Sequence, residues 1–147
     1  MAQVKATAER TIGASVEQVW QALADYANVR PTLLTEHFSE YEVRAGGTGG
    51  GTTVHWKLAA TSKRVRDCLV DVVEPAEHEL VERDANSSMV TTWRVRPSGK
   101  DNSAVTVETT WDGATGVGGF FERTFAPGGL RKIYDGMLAN LDRTVRE

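Results

Sequence analysis

The sequence predicts an α+β protein in which a curved antiparallel sheet wraps around one long C-terminal helix. Two observations carry that expectation. From Leu130 onward, apolar residues fall at Leu130, Ile133, Tyr134, Met137, Leu138, Leu141 and Val145. These steps of three and four lay a single apolar stripe along a helix. Ahead of the stripe, most of the chain reads as strands joined by short turns, which pair as antiparallel neighbours. A sheet folded over such a stripe encloses it, and the same arrangement can enclose a ligand.

The first strand is Val4 to Ile12, where β-branched and polar residues alternate, and Gly13-Ala14 breaks it. Ser15 with Gln18 is a capping-box pattern, and Val16, Val19, Trp20, Leu23 and Ala27 behind it share one helical face that ends near Asn28. Pro31 disfavours helical geometry at Arg30, so Pro31 to Leu34 is a separate turn or helix. Phe38 to Ala45 is the second strand, followed by the glycine-rich stretch Gly46 to Gly51. Thr52 to Ala60 is the third and Arg64 to Val73 the fourth, stopped by Pro75. Glu79 to Arg83 is a short fifth, closed by the turn Asp84-Ala85-Asn86-Ser87. Met89 to Arg96 is the sixth, Ala104 to Trp111 the seventh, and a terminal helical region starts near Gly118.

At 147 residues the chain, 1–147, is most simply one domain with room for a sizeable core. A net charge of −3 gives no electrostatic case for nucleic acid, which wants a basic face. The single cysteine, Cys68, cannot form an internal disulfide, which fits a reducing compartment. No continuous apolar stretch stands behind the N-terminus and no membrane-inserting segment is visible, so the expected location is the cytoplasm. The oligomeric state is not legible.

Several local patterns carry a family resemblance: Ser15-Val16-Glu17-Gln18-Val19-Trp20-Gln21-Ala22-Leu23-Ala24-Asp25-Tyr26, Gly51-Thr52-Thr53-Val54-His55-Trp56, Val72-Val73-Glu74-Pro75 and Leu138-Ala139-Asn140-Leu141-Asp142-Arg143. With the element order, they resemble the birch-pollen-allergen-like (START/SRPBCC) helix-grip superfamily. More narrowly, they resemble its bacterial polyketide cyclase/dehydrase and lipid transport branch. The resemblance spans nearly the whole chain and implies a helix-grip fold, with a sheet of about seven strands. It leaves the ligand open, since one fold serves many functions.

Period-two alternation groups the strand residues facing the helix. The third strand offers Val54, Trp56 and Leu58; the sixth Met89, Thr91, Trp93 and Val95; the seventh Val105, Val107, Thr109 and Trp111. The terminal helical region offers Phe121, Phe125, Tyr134, Met137 and Leu141. These sets make either a solid core or the wall of a cavity, and the resemblance favours the cavity. Tryptophan N–H and tyrosine O–H groups want partners when buried. Arg66 shares a face with Cys68, Val70 and Val72, but both faces of that strand are nearly equally apolar, so its facing is weakly specified. Glu108 reads as outward and solvated.

His37, His55 and His78 read as surface residues with no metal-ligand spacing between them or to Cys68. No metal or other cofactor is expected, and no catalytic residue is nominated. The glycine stretch lacks the lysine and following helix of a phosphate loop and reads as a flexible hairpin tip. Pro127-Gly128-Gly129 is either the first turn of the main helix or a hinge. Both glycine-rich segments are expected to edge the cavity mouth.

The function expected is binding of a small, largely apolar molecule, such as a lipid or an aromatic polyketide-like compound. Shape selection would fall to Trp56, Trp93, Trp111 and the helix aromatics, with a few hydroxyls fixing orientation. The alternatives are a cyclase or aromatase, with proton transfer by Tyr134 or a poised water, and a protein-interaction module using the same groove.

Overall fold

A computed structural model describes residues 3–61, 64–112 and 127–146. The elements run β1 (Gln3–Ile12), α1 (Val16–Ala24), α2 (Arg30–Leu33), β2 (Phe38–Ala45), β3 (Thr53–Thr61), β4 (Arg64–Val73), β5 (Glu79–Asp84), β6 (Val90–Pro97) and β7 (Ser103–Asp112). The helix α3 (Pro127–Arg146) follows. The strands form one seven-stranded sheet in the order β1-β7-β6-β5-β4-β3-β2, antiparallel throughout. β1 and β2 are therefore opposite edges, and α1 with α2 carries the chain from one to the other. This is the helix-grip architecture expected from the sequence.

The capping box starts α1 as read: Ser15 Oγ accepts from the Gln18 backbone N–H at 3.2 Å, and Gln18 Oε1 accepts from the Ser15 N–H at 3.3 Å. The helix stops at Ala24 rather than near Asn28, because tertiary partners take its end. The carbonyl of Gly47 accepts from the N–H groups of Tyr26 and Ala27, and Gly49 N–H donates to the Ala24 carbonyl. Gly50 N–H donates to Glu74 at 2.8 Å. Gly49 has φ +59°, which favours glycine, and a Cβ there would stand 2.0 Å from Glu74 Oε1 and displace that carboxylate from its hydrogen bond to Gly50. The glycine stretch is thus a clamp on the end of α1. It does not stand free as a flexible tip.

Arg30 is also reassigned. It opens α2 in helical geometry, with Pro31 in the first turn, where a missing N–H costs no hydrogen bond.

Register partners in an antiparallel ladder share a face. Val54 pairs with Val70, Trp56 with Cys68 and Leu58 with Arg66. Leu80 pairs with Trp93, Glu82 with Thr91, and Thr91 with Thr109. This settles β4: Cys68, Val70 and Val72 are buried on the concave face and Arg66 shares it, whereas Val65 and Val73 are exposed outside. Helix α3 buries Leu130, Ile133, Tyr134, Met137, Leu138 and Leu141 against the sheet. It lies mainly along β1, whose inward residues Ala6 and Ala8 are small enough for close approach, and only touches β3. Pro127-Gly128-Gly129 forms its first turn.

No helix among the described residues is long and apolar enough to cross a membrane.

Candidate functional site

Between α3, α2 and the β3–β6 part of the sheet lies a small cavity of about 30 Å³. Its apolar wall comes from Leu34, Phe38, Trp56, Leu58, Met89 and Met137. Its polar wall comes from Arg30, Tyr41, Glu82, Thr91, Trp93 and Tyr134. The aromatic side is ordered by ring contacts. Tyr41 stacks parallel to Trp56 at 6.2 Å, and Phe38 meets Trp56 edge-on at 6.1 Å.

The polar wall is built on a buried ion pair. Arg30 Nη2 stands 2.8 Å from Glu82 Oε2, with both side chains almost fully buried. The Tyr26 hydroxyl donates to Glu82 Oε2 at 2.5 Å, and Trp93 Nε1–H donates to Glu82 Oε1 at 3.1 Å. Arg30 also donates from Nε to the Leu23 carbonyl at 2.7 Å and from Nη2 to the Tyr26 oxygen at 3.2 Å. Its guanidinium lies 4.5 Å from the Tyr26 ring centre and 4.7 Å from that of Trp93. Burial alone would lower the guanidinium pKa, but Glu82 and the two tyrosines outweigh it and raise it, so Arg30 stays charged. Burial, with Glu82 beside it, pushes Tyr26 well above the ordinary tyrosine value.

A second polar cluster joins sheet to helix. The Tyr134 hydroxyl is hydrogen-bonded to Thr109 Oγ1 and lies 3.4 Å from Thr91 Oγ1. The two threonines are 2.8 Å apart. Burial drives the Tyr134 pKa to about 12, against the pull of the two threonines, so it is a neutral phenol at physiological pH. Trp93 meets the Tyr134 ring edge-on at 5.9 Å, which connects the two clusters. Burial likewise raises the Cys68 thiol to about 12, which makes it an inert core residue.

Of the residues expected to line a cavity, Trp56, Leu58, Met89, Thr91, Trp93, Tyr134 and Met137 do. Thr109 stands behind Tyr134 as its hydrogen-bond partner. Val54, Val107, Trp111 and Leu141 are buried but belong to the solid core beside the cavity. Phe121 and Phe125 lie outside the described residues. Neither glycine-rich segment lines this cavity: the first is docked on α1, and Gly128 borders a shallow groove with Lys5, Ala6, Thr7 and Arg131.

Sequence reading missed Arg30, Glu82, Tyr26, Tyr41, Leu34 and Phe38. For Glu82 a signal existed. In β5, Leu80 and Glu82 alternate onto one face, and burying Leu80 beside Trp93 carries the carboxylate inward. Arg30 gave no such signal, because one turn of helix has no readable periodicity.

The histidines are half-buried rather than free at the surface, each in its own setting. His37 Nδ1 lies 2.8 Å from Thr35 Oγ1. His55 bridges the Glu40 carbonyl at 3.0 Å and Asp67 at 2.6 Å. His78 packs edge-on against Trp20. Among the described residues, no group of three or more histidine, cysteine or acidic side chains could hold a metal ion. Glu108 faces outward and pairs with Lys5 at 3.1 Å.

Fold and cavity together define a helix-grip protein with a small internal cavity between sheet and terminal helix. The chain belongs to the family described as polyketide cyclase / dehydrase and lipid transport, which matches residues 3–146. It is similar over its full length, and over that of the other chain, to the KanY protein solved by NMR, at 49% identity and TM-score 0.90. It shares the fold of norcoclaurine synthase from Thalictrum flavum, at 19% identity and TM-score 0.68, covering 98% of this chain and 87% of that one. It shares it too with a START superfamily protein from Mycobacterium smegmatis, at 14% identity and TM-score 0.68, covering 98% and 97%. A search of curated proteins found no match.

Proposed function

We propose that this protein binds a small, largely apolar, ring-containing molecule in the cavity between sheet and α3. The observation that carries this reading is the composition of the cavity wall. Stacked and edge-on aromatics make one side, and a fully buried ion pair makes the other. A buried pair is a poor way to stabilise a core, since apolar residues of similar volume commonly do as well or better. Its placement on a cavity wall fits a group kept for recognition. The same fold accommodates ring compounds in norcoclaurine synthase, whose structure was solved in complex with dopamine and hydroxybenzaldehyde.

At about 30 Å³ the cavity holds roughly one water, far below the few hundred Å³ of a typical ligand site. Binding therefore requires side chains to yield. Met89 and Met137 are unbranched and adaptable. Leu34 directly follows α2, and Phe38 opens the edge strand β2, so neither lies deep in the sheet. Entry is thus assigned to the α2–β2 side of the cavity.

The test is native mass spectrometry of freshly purified protein, followed by extraction and identification of co-purified small molecules. A bound compound with at least one ring supports the reading. A purely polar one, displaced without any change in tryptophan emission, overturns it.

A cyclase or aromatase activity is the second reading, favoured by the convergence of Arg30, Glu82, Thr91 and Tyr134 on one wall. With its pKa near 12, Tyr134 would serve as a hydrogen-bond donor to a developing oxyanion and not as a resting base. Turnover of a poly-β-ketone that is lost in Tyr134→Phe, with binding kept, would establish it.

A further inference from the structure

We propose that Arg30 Nη1 is the anchoring donor of the site, and that it selects a ligand bearing an uncharged oxygen acceptor: a carbonyl, ether or hydroxyl oxygen on the ring compound. This rests on the cavity-binding reading above and adds the polar chemistry of the ligand.

The guanidinium is fixed on every side but one. Nε is held by the Leu23 carbonyl, and Nη2 by Tyr26 and Glu82. Both ring faces beside it are aromatic, Tyr26 and Trp93. Nη1 donates to no described residue, although Arg30 is only 3% exposed. Arg30 is itself a wall of the cavity. An arginine donor that borders the cavity without a protein acceptor is open to an acceptor that enters it, and a charge-assisted hydrogen bond favours that entry.

The charge of the partner follows from Glu82. Its two oxygens already take Trp93, Tyr26 and Arg30, so the pair is electrically closed. A ligand carboxylate would add a negative charge with no counter-charge among the lining groups, and burying an unpaired charge is expensive. A ligand ammonium would find both oxygens of the carboxylate already engaged. The remaining lining hydroxyls do not compete for the role. Tyr41 donates to the Tyr26 carbonyl at 2.7 Å, and Tyr134 and Thr91 are engaged with Thr109. A neutral acceptor accepting a charge-assisted hydrogen bond is the remaining match.

The test uses four single-ring probes of similar size: acetophenone, ethylbenzene, benzoate and benzylamine. Affinities are read from 1H–15N spectra, with the Trp93 indole N–H as reporter. Acetophenone should bind at least about tenfold more tightly than ethylbenzene, and benzoate and benzylamine more weakly than acetophenone. Arg30→Lys keeps a cation for Glu82 but lacks the planar fork, so it should bring the acetophenone-to-ethylbenzene ratio close to one. If that variant does not fold, the wild-type ranking decides alone. Equal affinity for acetophenone and ethylbenzene overturns the anchor while leaving the apolar cavity in place. Benzoate or benzylamine ahead of acetophenone overturns the neutral-acceptor assignment. If none of the four binds, the cavity-binding reading falls, and the anchor falls with it.

Discussion

The space enclosed by the sheet has two halves built on different principles. Over β1, α3 lies close, and there and on the neighbouring β7 Ile12, Val105, Val107, Trp111, Leu130, Ile133 and Leu141 are sealed apolar residues at 2% exposure or less. Over β3 to β5, α3 makes little contact, and the room is taken by α2, a small cavity and the Arg30–Glu82 pair. The first half is held by volume and the second by charge pairing. Stability therefore resides mainly in the β1–β7 half, and the proposed binding belongs to the other. The way to break that comparison is to remove volume from one half and charge from the other.

The largest effects are expected from an orphaned charge in one half and from lost volume in the other. Arg30→Met leaves Glu82 buried without its partner and should cost about 3–5 kcal/mol in urea unfolding. Adding Glu82→Leu should recover most of the loss, because the double variant leaves no orphaned charge. Trp111→Ala in the sealed half should cost a similar ~3–5 kcal/mol, with no single second substitution that restores it. If the Arg30→Met/Glu82→Leu protein is no more stable than Arg30→Met alone, the two halves do not differ in the way described.

A smaller contrast concerns volume on the two sides. Leu141→Ala, in the sealed half at 1% exposure, should lie toward the upper part of the usual 2–5 kcal/mol range. Met89→Ala removes a group that already faces a cavity, so it should fall near or below about 2 kcal/mol. The enlarged cavity should also bind single-ring compounds more tightly. Equal losses with no gain in affinity would show that the cavity side is packed like the rest.

The sealed half and much of the cavity's sheet and helix wall are legible in the sequence, whereas the ion pair is hidden in it, for a physical reason. Long periodic elements identify their own buried faces, and β6, β7 and α3 each supply three or more inward residues. Thus Val107, Trp111 and Leu141 in the sealed half, and Thr91, Trp93, Tyr134 and Met137 on the cavity wall, read as inward from their spacing alone. The polar wall depends on α2, which has four residues, and on β5, which has six. The helix α2 is too short to show a period, and β5 signals Glu82 only through its alternation with Leu80. Arg30 and Glu82 lie 52 positions apart, and only the sheet register with the α1–α2 crossing brings them together. The end of α1 is equally hidden in the sequence, since a distant glycine stretch caps it and no local signal marks the stop.

Raised pKa values give the two halves different responses to alkali. Burial raises Cys68 from 9.0 and Tyr134 from 10.0, each to about 12. Groups with raised folded-state values contribute stability that is complete below their unfolded values. That contribution is lost as pH rises toward the folded ones. Unfolding free energy should therefore fall from about pH 9 upward, by up to ~1.4 kcal/mol per pH unit for each group once it ionises in the unfolded chain. Cys68→Ala should remove the part between pH 9 and 10, whereas a change at Val107, which does not titrate, should leave the profile unaltered in shape. A flat profile from pH 8 to 11 would contradict the burial of these groups. Chemical denaturation at half-unit pH steps supplies the measurement.

The smallest expected effect sharpens the comparison at the start of α3. Gly128 and Gly129 lie in its first turn, neither has a left-handed backbone, and a Cβ at either position meets nothing within 4 Å. Alanine at both sites should therefore stabilise the protein by roughly 1 kcal/mol per residue or less, through helix propensity and a less flexible unfolded chain. This segment borders the groove beside Lys5, Ala6 and Thr7, over the sealed half. If entry runs by α2 and Phe38 instead, the double variant should melt higher while ligand on- and off-rates stay at their wild-type values. A fall in both rates at unchanged affinity would instead make the start of α3 a gate. It would then move the entrance from the cavity half to the sealed one. Stopped-flow tryptophan fluorescence with the co-purified ligand, or with acetophenone, separates these outcomes.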